Sequence, residues 1–166
     1  FNQGTSLVLT LNLGPITHYA GGILSIPLST PSAVITAGPN ANFPGGQQSI
    51  LGGYAVLNDN WIQSGVGATP GTISTFTGYT SGYVPSRDVN APNGTASIAD
   101  GITFNSLRFN TTSGGTFHMN SAGTTTIATG GILIGSGANA AINFNVGILT
   151  SGNGQDLIIH HYGSQN

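Results

Sequence analysis

Residues 131–134 read GILI, and comparable phrases stand at SLRF (106–109) and DLII (156–159), each starting 25 residues after the one before, at 106, 131 and 156. Between them, TFHM (116–119) and AINF (141–144) are also 25 apart, while TTIA (125–128) and GILT (147–150) are 22 apart. Short apolar phrases recurring at one interval are the mark of a solenoid. A hairpin sheet has no reason to keep one interval across successive copies. About 25 residues suits one coil of a parallel β-helix, with three short strands joined by Gly, Asn and Ser corners and successive coils about 4.8 Å apart. The expected fold class is therefore all-β.

Alternation assigns the faces. It predicts an inward stack of Leu107, Ile132 and Leu157, with Phe109, Ile134 and Ile159 beside it. On the next strand Phe117 should lie over Ile142, and Met119 over Phe144. The outward neighbours are Arg108, Leu133 and Ile158 in one column and His118 and Asn143 in another. Because the first column turns from charged to apolar, Leu133 and Ile158 need cover from another segment or a partner, and are the expected interface positions.

The chain forms one solenoid module over residues 1–166, with irregular coils and long loops over 1–100 and regular coils over 101–166. In the irregular part, SLVLTLNL (6–13) and GILSIPL (22–28) alternate like strands, and SILGGYAVLNDNWIQSG (49–65) carries the single tryptophan, Trp61, in a mixed pattern. Residues 80–93, with Pro85, Pro92, Arg87 and Asp88, read as a long exposed loop. Pro31, Pro39 and Pro44 mark another.

Composition narrows the function. The charged side chains are Arg87, Arg108, Asp59, Asp88, Asp100 and Asp156, and there is no cysteine. Two arginines make nucleic-acid binding implausible, since phosphate affinity scales with the number of basic contacts. No apolar run reaches the length of a membrane span, and no helical stripe of about ten residues survives the glycines. The opening FNQGTSLVLTLNL is strand-like with no signal-peptide pattern, so an excised or processed chain is expected.

Several phrases occur together in a known family. LTLNLGPITHYAGGILSI, ILGGYAVLNDNWIQ, NSLRFNT, TIATGGILI and GNGQDLIIH, in that order, resemble one unit of the autotransporter-associated β-strand repeat proteins, very large secreted bacterial proteins. The resemblance covers nearly the whole chain. It implies a right-handed parallel β-helix passenger, exported and displayed outside the cell, and it brings no catalytic residues with it.

SGNGQDLII (151–159) differs from a calcium-binding β-roll nonapeptide at its first position, where Ser151 replaces glycine. Calcium needs six to eight oxygens, drawn in β-rolls from consecutive repeats. One and two periods earlier, Asp156 is matched by Gly131 and Ser106, so turn chemistry is the expected role. No two of the four aspartates share a strand face as a glycosidase pair would. His160 and His161 point to opposite faces, and His18 and His118 are isolated, so no metal ligand set is expected. Asn93-Gly-Thr95 and Asn110-Thr-Thr112 match the N-glycosylation pattern, which arises by chance in a chain of this composition. Tyr79, Tyr83 and Tyr162 could stack on sugars, but packing is the plainer role.

No catalytic, metal or cofactor residues are therefore expected, and no enzyme. A solenoid has two ends with unpaired strand edges, normally hidden by caps. Neither SLVLTLNL near the start nor DLIIHHYG near the finish resembles a cap. The expectation is a structural unit of an extracellular fibre or cell-surface stalk, paired end to end with its own copies or with adjoining modules. The alternative is an adhesin passenger that grips surface glycans through the 80–93 loop with Tyr79, Tyr83 and Arg87.

Overall fold

The computed structural model describes residues 10–14, 16–27, 33–36, 49–66, 69–113, 115–119, 123–145, 147–152 and 154–164. Among these residues there is no helix, and the sheets are built largely of parallel strands.

The C-terminal part follows the periodic phrases. After β7 (Thr80–Ser81), strands fall in turn on three sheets: β8 (Asp88–Asn90), β9 (Gly94–Ile98) and β10 (Thr103–Phe104), then β11 (Ser106–Phe109), β12 (Gly115–Met119) and β13 (Thr124–Ile127). The next round is β14 (Gly131–Ile134), β15 (Ile142–Asn145) and β16 (Ile148–Ser151), and β17 (Ile158–His161) begins another. Every neighbouring pair in the sheets β7-β8-β11-β14-β17, β9-β12-β15 and β10-β13-β16 is parallel. This arrangement is compatible with a β-helix.

Leu107 pairs with Ile132 and Phe109 with Ile134, as the interval predicts. The later pairings are shifted by two residues from expectation. Ile132 pairs with Ile159 rather than Leu157, and Ile134 with His161 rather than Ile159. Phe117 pairs with Phe144 rather than Ile142, Met119 with Ile98, and Ile142 with Gly115. On the third sheet Thr126 pairs with Thr150. Corner length explains the β12–β15 shift: residues 135–141 lead into β15 where 110–114 lead into β12, so the later corner is longer by two. A shift of two keeps every side chain on its side of the sheet. The inward set therefore survives: Leu107, Phe109, Phe117, Met119 and Ile132 are buried in one core with Val89, Ile98, Phe104 and Ile127, and Ile134, Ile142 and Phe144 pack half-buried against it. Leu157 and Ile159 are the exceptions, 41% exposed ahead of β17 and 54% exposed on it.

Neighbouring corners are tied by side chains. Asp100 Oδ1 accepts from the Thr124 N–H at 2.9 Å, Asn110 Oδ1 from the Gly137 N–H at 2.9 Å, and the Thr129 hydroxyl donates to the Asn105 carbonyl at 2.7 Å. Short polar residues suit these places because they satisfy backbone groups locally.

The N-terminal part is a six-stranded mixed sheet in the order β1-β3-β6-β5-β4-β2. Its strands are β1 (Thr10–Gly14), β2 (Leu24–Ile26), β3 (Ala33–Thr36), β4 (Ala55–Leu57), β5 (Asn60–Val66) and β6 (Thr69–Thr75). The mixed stretch 49–65 is the β4–β5 hairpin, turning at Asn58, whose left-handed backbone (φ 56°) asparagine tolerates. Residues 6–9 and Pro31, Pro39 and Pro44 lie outside the described residues, and β3 lies between Pro31 and Pro39.

Both faces of this sheet are covered. Leu51, Ala55, Leu57, Ile62 and Ile73 form one core, with Ile16, Leu24, Ile26 and Tyr54 against it. On the other face Ile50, Val56, Trp61 and Phe76 pack with Leu133 of β14. The N-terminal sheet thus lies on the outward face of the β7-β8-β11-β14-β17 sheet.

Residues 80–93 are not one exposed loop. They contain β7 and β8, and Asp88 and Val89 are buried. A charged residue fits there because its carboxylate is bonded on arrival: Asp88 Oδ1 accepts from the Asn105 Nδ2–H at 2.5 Å and the Ser106 hydroxyl at 2.7 Å.

Candidate functional site

Two places concentrate the molecule's unusual chemistry: the seam between the N-terminal sheet and the stacked strands, and the end of the stack at β15–β17.

Register builds the seam. One outward column runs Ser81, Asn90, Arg108, Leu133, His160, and a second holds Asp88, Ser106, Gly131 and Ile158. Leu133 is fully buried beneath Trp61 and Phe76, and Ile158 is buried as well. Their expected role as an interface with a partner is thereby corrected for Leu133: the β4–β5 hairpin of the same chain covers it. Ile158 also leaves the Arg108 column, where His160 takes its place.

The seam is polar for its depth. The Arg108 guanidinium lies 4.6 Å above the Tyr79 ring centroid, a cation–π distance. Burial pushes the Tyr79 phenol up to about 12, with the Arg108 charge pulling the other way. Burial likewise raises Asp88 above the usual carboxylate range, opposed by its bonds to Ser106, Asn105 and Ser49. Asn105 Nδ2 also donates to the Ser49 hydroxyl, joining the two parts of the chain. Trp61 Nε1, Asn90 Oδ1 and Arg108 Nε are buried without a hydrogen-bond partner. His160 Nε2 meets the Gly53 carbonyl at 3.1 Å, and its ring stands edge-on to Trp61 with centroids 5.4 Å apart.

Carboxylates fasten the seam's rim. Asp59, beside the hairpin turn, accepts from the Ser136 N–H at 3.1 Å and from its hydroxyl, and the hydroxyl bond holds the carboxyl below its usual range. Asp156 Oδ2 accepts from the Gly21 N–H at 2.5 Å. The aspartate of SGNGQDLII therefore joins the last rung to the turn at residues 20–22. No group of three His, Cys, Asp or Glu side chains suited to a metal occurs among the described residues.

The two ends of the stack differ. At the first end the half-buried Tyr83 ring packs on Phe117 (5.2 Å) and Phe104 (6.1 Å), and burial pushes its phenol up to about 12. At the other end β15, β16 and β17 are each the outermost strand of their sheet. On these strands Ile148 is 60% and Ile159 54% exposed, and Phe144 is half-buried.

Sequence reasoning missed the seam because its contacts join residues far apart in the chain, such as Gly53 with His160. The one available signal was the drift from Arg108 to Leu133 along an outward column. Comparison with protein-family models, curated proteins and solved structures finds no match to this chain.

Proposed function

We propose that this chain is a structural unit of an extracellular fibre or cell-surface stalk, joined end to end through β-strand edges to its own copies or to adjoining modules. In this reading the stacked strands are coils of a right-handed parallel β-helix of about 25 residues each, of the autotransporter-associated repeat kind. The observation that carries it is the end at β15–β17, where, among the described residues, the outermost strands of three sheets have no further strand beside them and the apolar column ends in the half-exposed Ile159. Unpaired edges beside apolar side chains are a template for a further strand. A head-to-tail contact of this kind does not close and so extends into a filament.

Purified chain should associate with rising concentration in sedimentation velocity and give rods in negative-stain micrographs. Ile159→Lys with Ile148→Lys should abolish both while leaving the near-ultraviolet spectrum of the fold unchanged. A monodisperse monomer at every concentration, or association untouched by the lysines, overturns the proposal. The adhesin alternative draws less support, since the rings of Tyr79 and Tyr83 are packed against Arg108 and the stack's core.

A further inference from the structure

The seam contains a titratable group that end-to-end assembly does not use. His160 is buried on β17, with Nε2 against the Gly53 carbonyl and its ring edge-on to Trp61. A carbonyl only accepts, so the neutral ring carries its proton on Nε2 and a second proton must enter at Nδ1. From these contacts we infer that His160 is an acid-sensitive latch, whose protonation releases the N-terminal sheet from the stacked strands.

The surrounding charges favour release. On β17 itself, His161 is exposed on the opposite side of the strand, and Asp156, just before it, is bonded to Gly21. β14 contributes Gly131 and Leu133, which carry no charge. β11 contributes Arg108, in the same column but separated from His160 by Leu133; β8 contributes Asp88, bonded to Asn105 and Ser106. From the N-terminal part come Trp61, Gly53, Tyr79, Tyr54, whose ring stacks on His18, and Asp59, bonded to Ser136. No carboxylate among the described residues bonds the imidazole. An imidazolium here would be a buried charge whose column neighbour is the apolar Leu133, an unfavourable state that exposure to water relieves.

Opening also gives water to Trp61 Nε1, Asn90 Oδ1 and Arg108 Nε, which have no partner in the closed seam. The aliphatic and aromatic core inside the stack has no such gain. Acid should therefore open the seam before it unfolds the strands. Burial lowers the His160 pKa, so the ring is neutral at pH 7 and the latch is shut.

Trp61 is the single tryptophan, so its fluorescence reports on this joint alone. The chain, held dilute enough to be monomeric, is titrated from about pH 8 to about pH 4.5, a range that spans histidine ionisation. Emission should shift to the red reversibly, and access of a neutral quencher should rise several-fold, below the ordinary histidine value of about 6.5. His160→Gln can still donate to the Gly53 carbonyl but cannot titrate; it should keep the neutral-pH emission and lose the transition. If emission of the natural chain stays constant, or the transition survives in His160→Gln, the latch is overturned. If that variant is already red-shifted at neutral pH, nuclear magnetic resonance titration of the natural His160 ring decides. A midpoint shared with the Trp61 change supports the latch, and separate midpoints overturn it. None of these readouts depends on whether the chain forms fibres.

Discussion

Gly53 and Gly131 meet backbone to backbone across the seam, with no side chain between them. A Cβ built on Gly131 would fall 2.8 Å from Trp61 Cη2 and closer still to the Gly53 Cα. Gly131→Ala must therefore push the hairpin off the stacked strands or move Trp61. Overpacking of this kind costs about 1–3 kcal/mol. Urea unfolding followed by Trp61 emission should show the lower midpoint.

The column Leu107–Ile132–Ile159 predicts a gradient of sensitivity. Ile132 is fully buried between two rungs, whereas Ile159 is 54% exposed. Ile132→Ala should cost about 2–5 kcal/mol, the range for removing a buried aliphatic side chain. Ile159→Ala in the monomer should cost less than about 1 kcal/mol, as expected for a half-exposed site. Equal losses in chemical denaturation would contradict the register.

Asp88 gives a pH dependence with a definite sign. Its folded pKa is raised, mainly by burial, so the folded chain binds this proton more readily than the unfolded chain does. The associated stabilisation is complete below the ordinary carboxylate value of about 3.9 and is lost as pH rises through the folded value. Asp88→Asn keeps an acceptor oxygen for Asn105 and Ser106 and removes the buried charge. It should be at least as stable as the natural chain at pH 7, with a flatter stability profile above about pH 4 in thermal melts.

Asp156 separates corner chemistry from calcium binding. Its Oδ2 is engaged by the Gly21 N–H. Millimolar calcium should leave the thermal midpoint unchanged. Asp156→Ala should lower it by the loss of one charge-assisted hydrogen bond at a partly exposed rim, about 1 kcal/mol or less.

Alternation made the inward and outward assignments from Leu107 to Phe144 legible, because side chains on a strand have a period of two. Register was less legible. GILI and DLII are 25 apart, yet β17 pairs with β14 through Ile132 and Ile159, two positions on. Apolar identity could not separate these registers, since Leu157 and Ile159 are both apolar and on the same side. The length of corner 135–141 was visible, but its effect depends on which residues its backbone bonds hold. The N-terminal sheet was legible only as strand-like phrases. Its order needs pairings such as β3 with β6, and no local period encodes them. The seam depended in turn on that order, so Trp61 could be noticed without its contact to His160 being foreseen.

All four aspartates act as acceptors at joints: Asp59 to Ser136, Asp88 to Asn105 and Ser106, Asp100 to Thr124, and Asp156 to Gly21. With only two arginines beside them, the chain carries few ionic charges. Dissolved ions screen free surface charges over about 10 Å at 0.1 M but barely reach bonds made between neighbouring backbone and carboxyl groups. The folded chain should accordingly depend little on whether it is in fresh water or in brine, its surface wetted largely by hydroxyls and amides whose hydration does not depend on counterions.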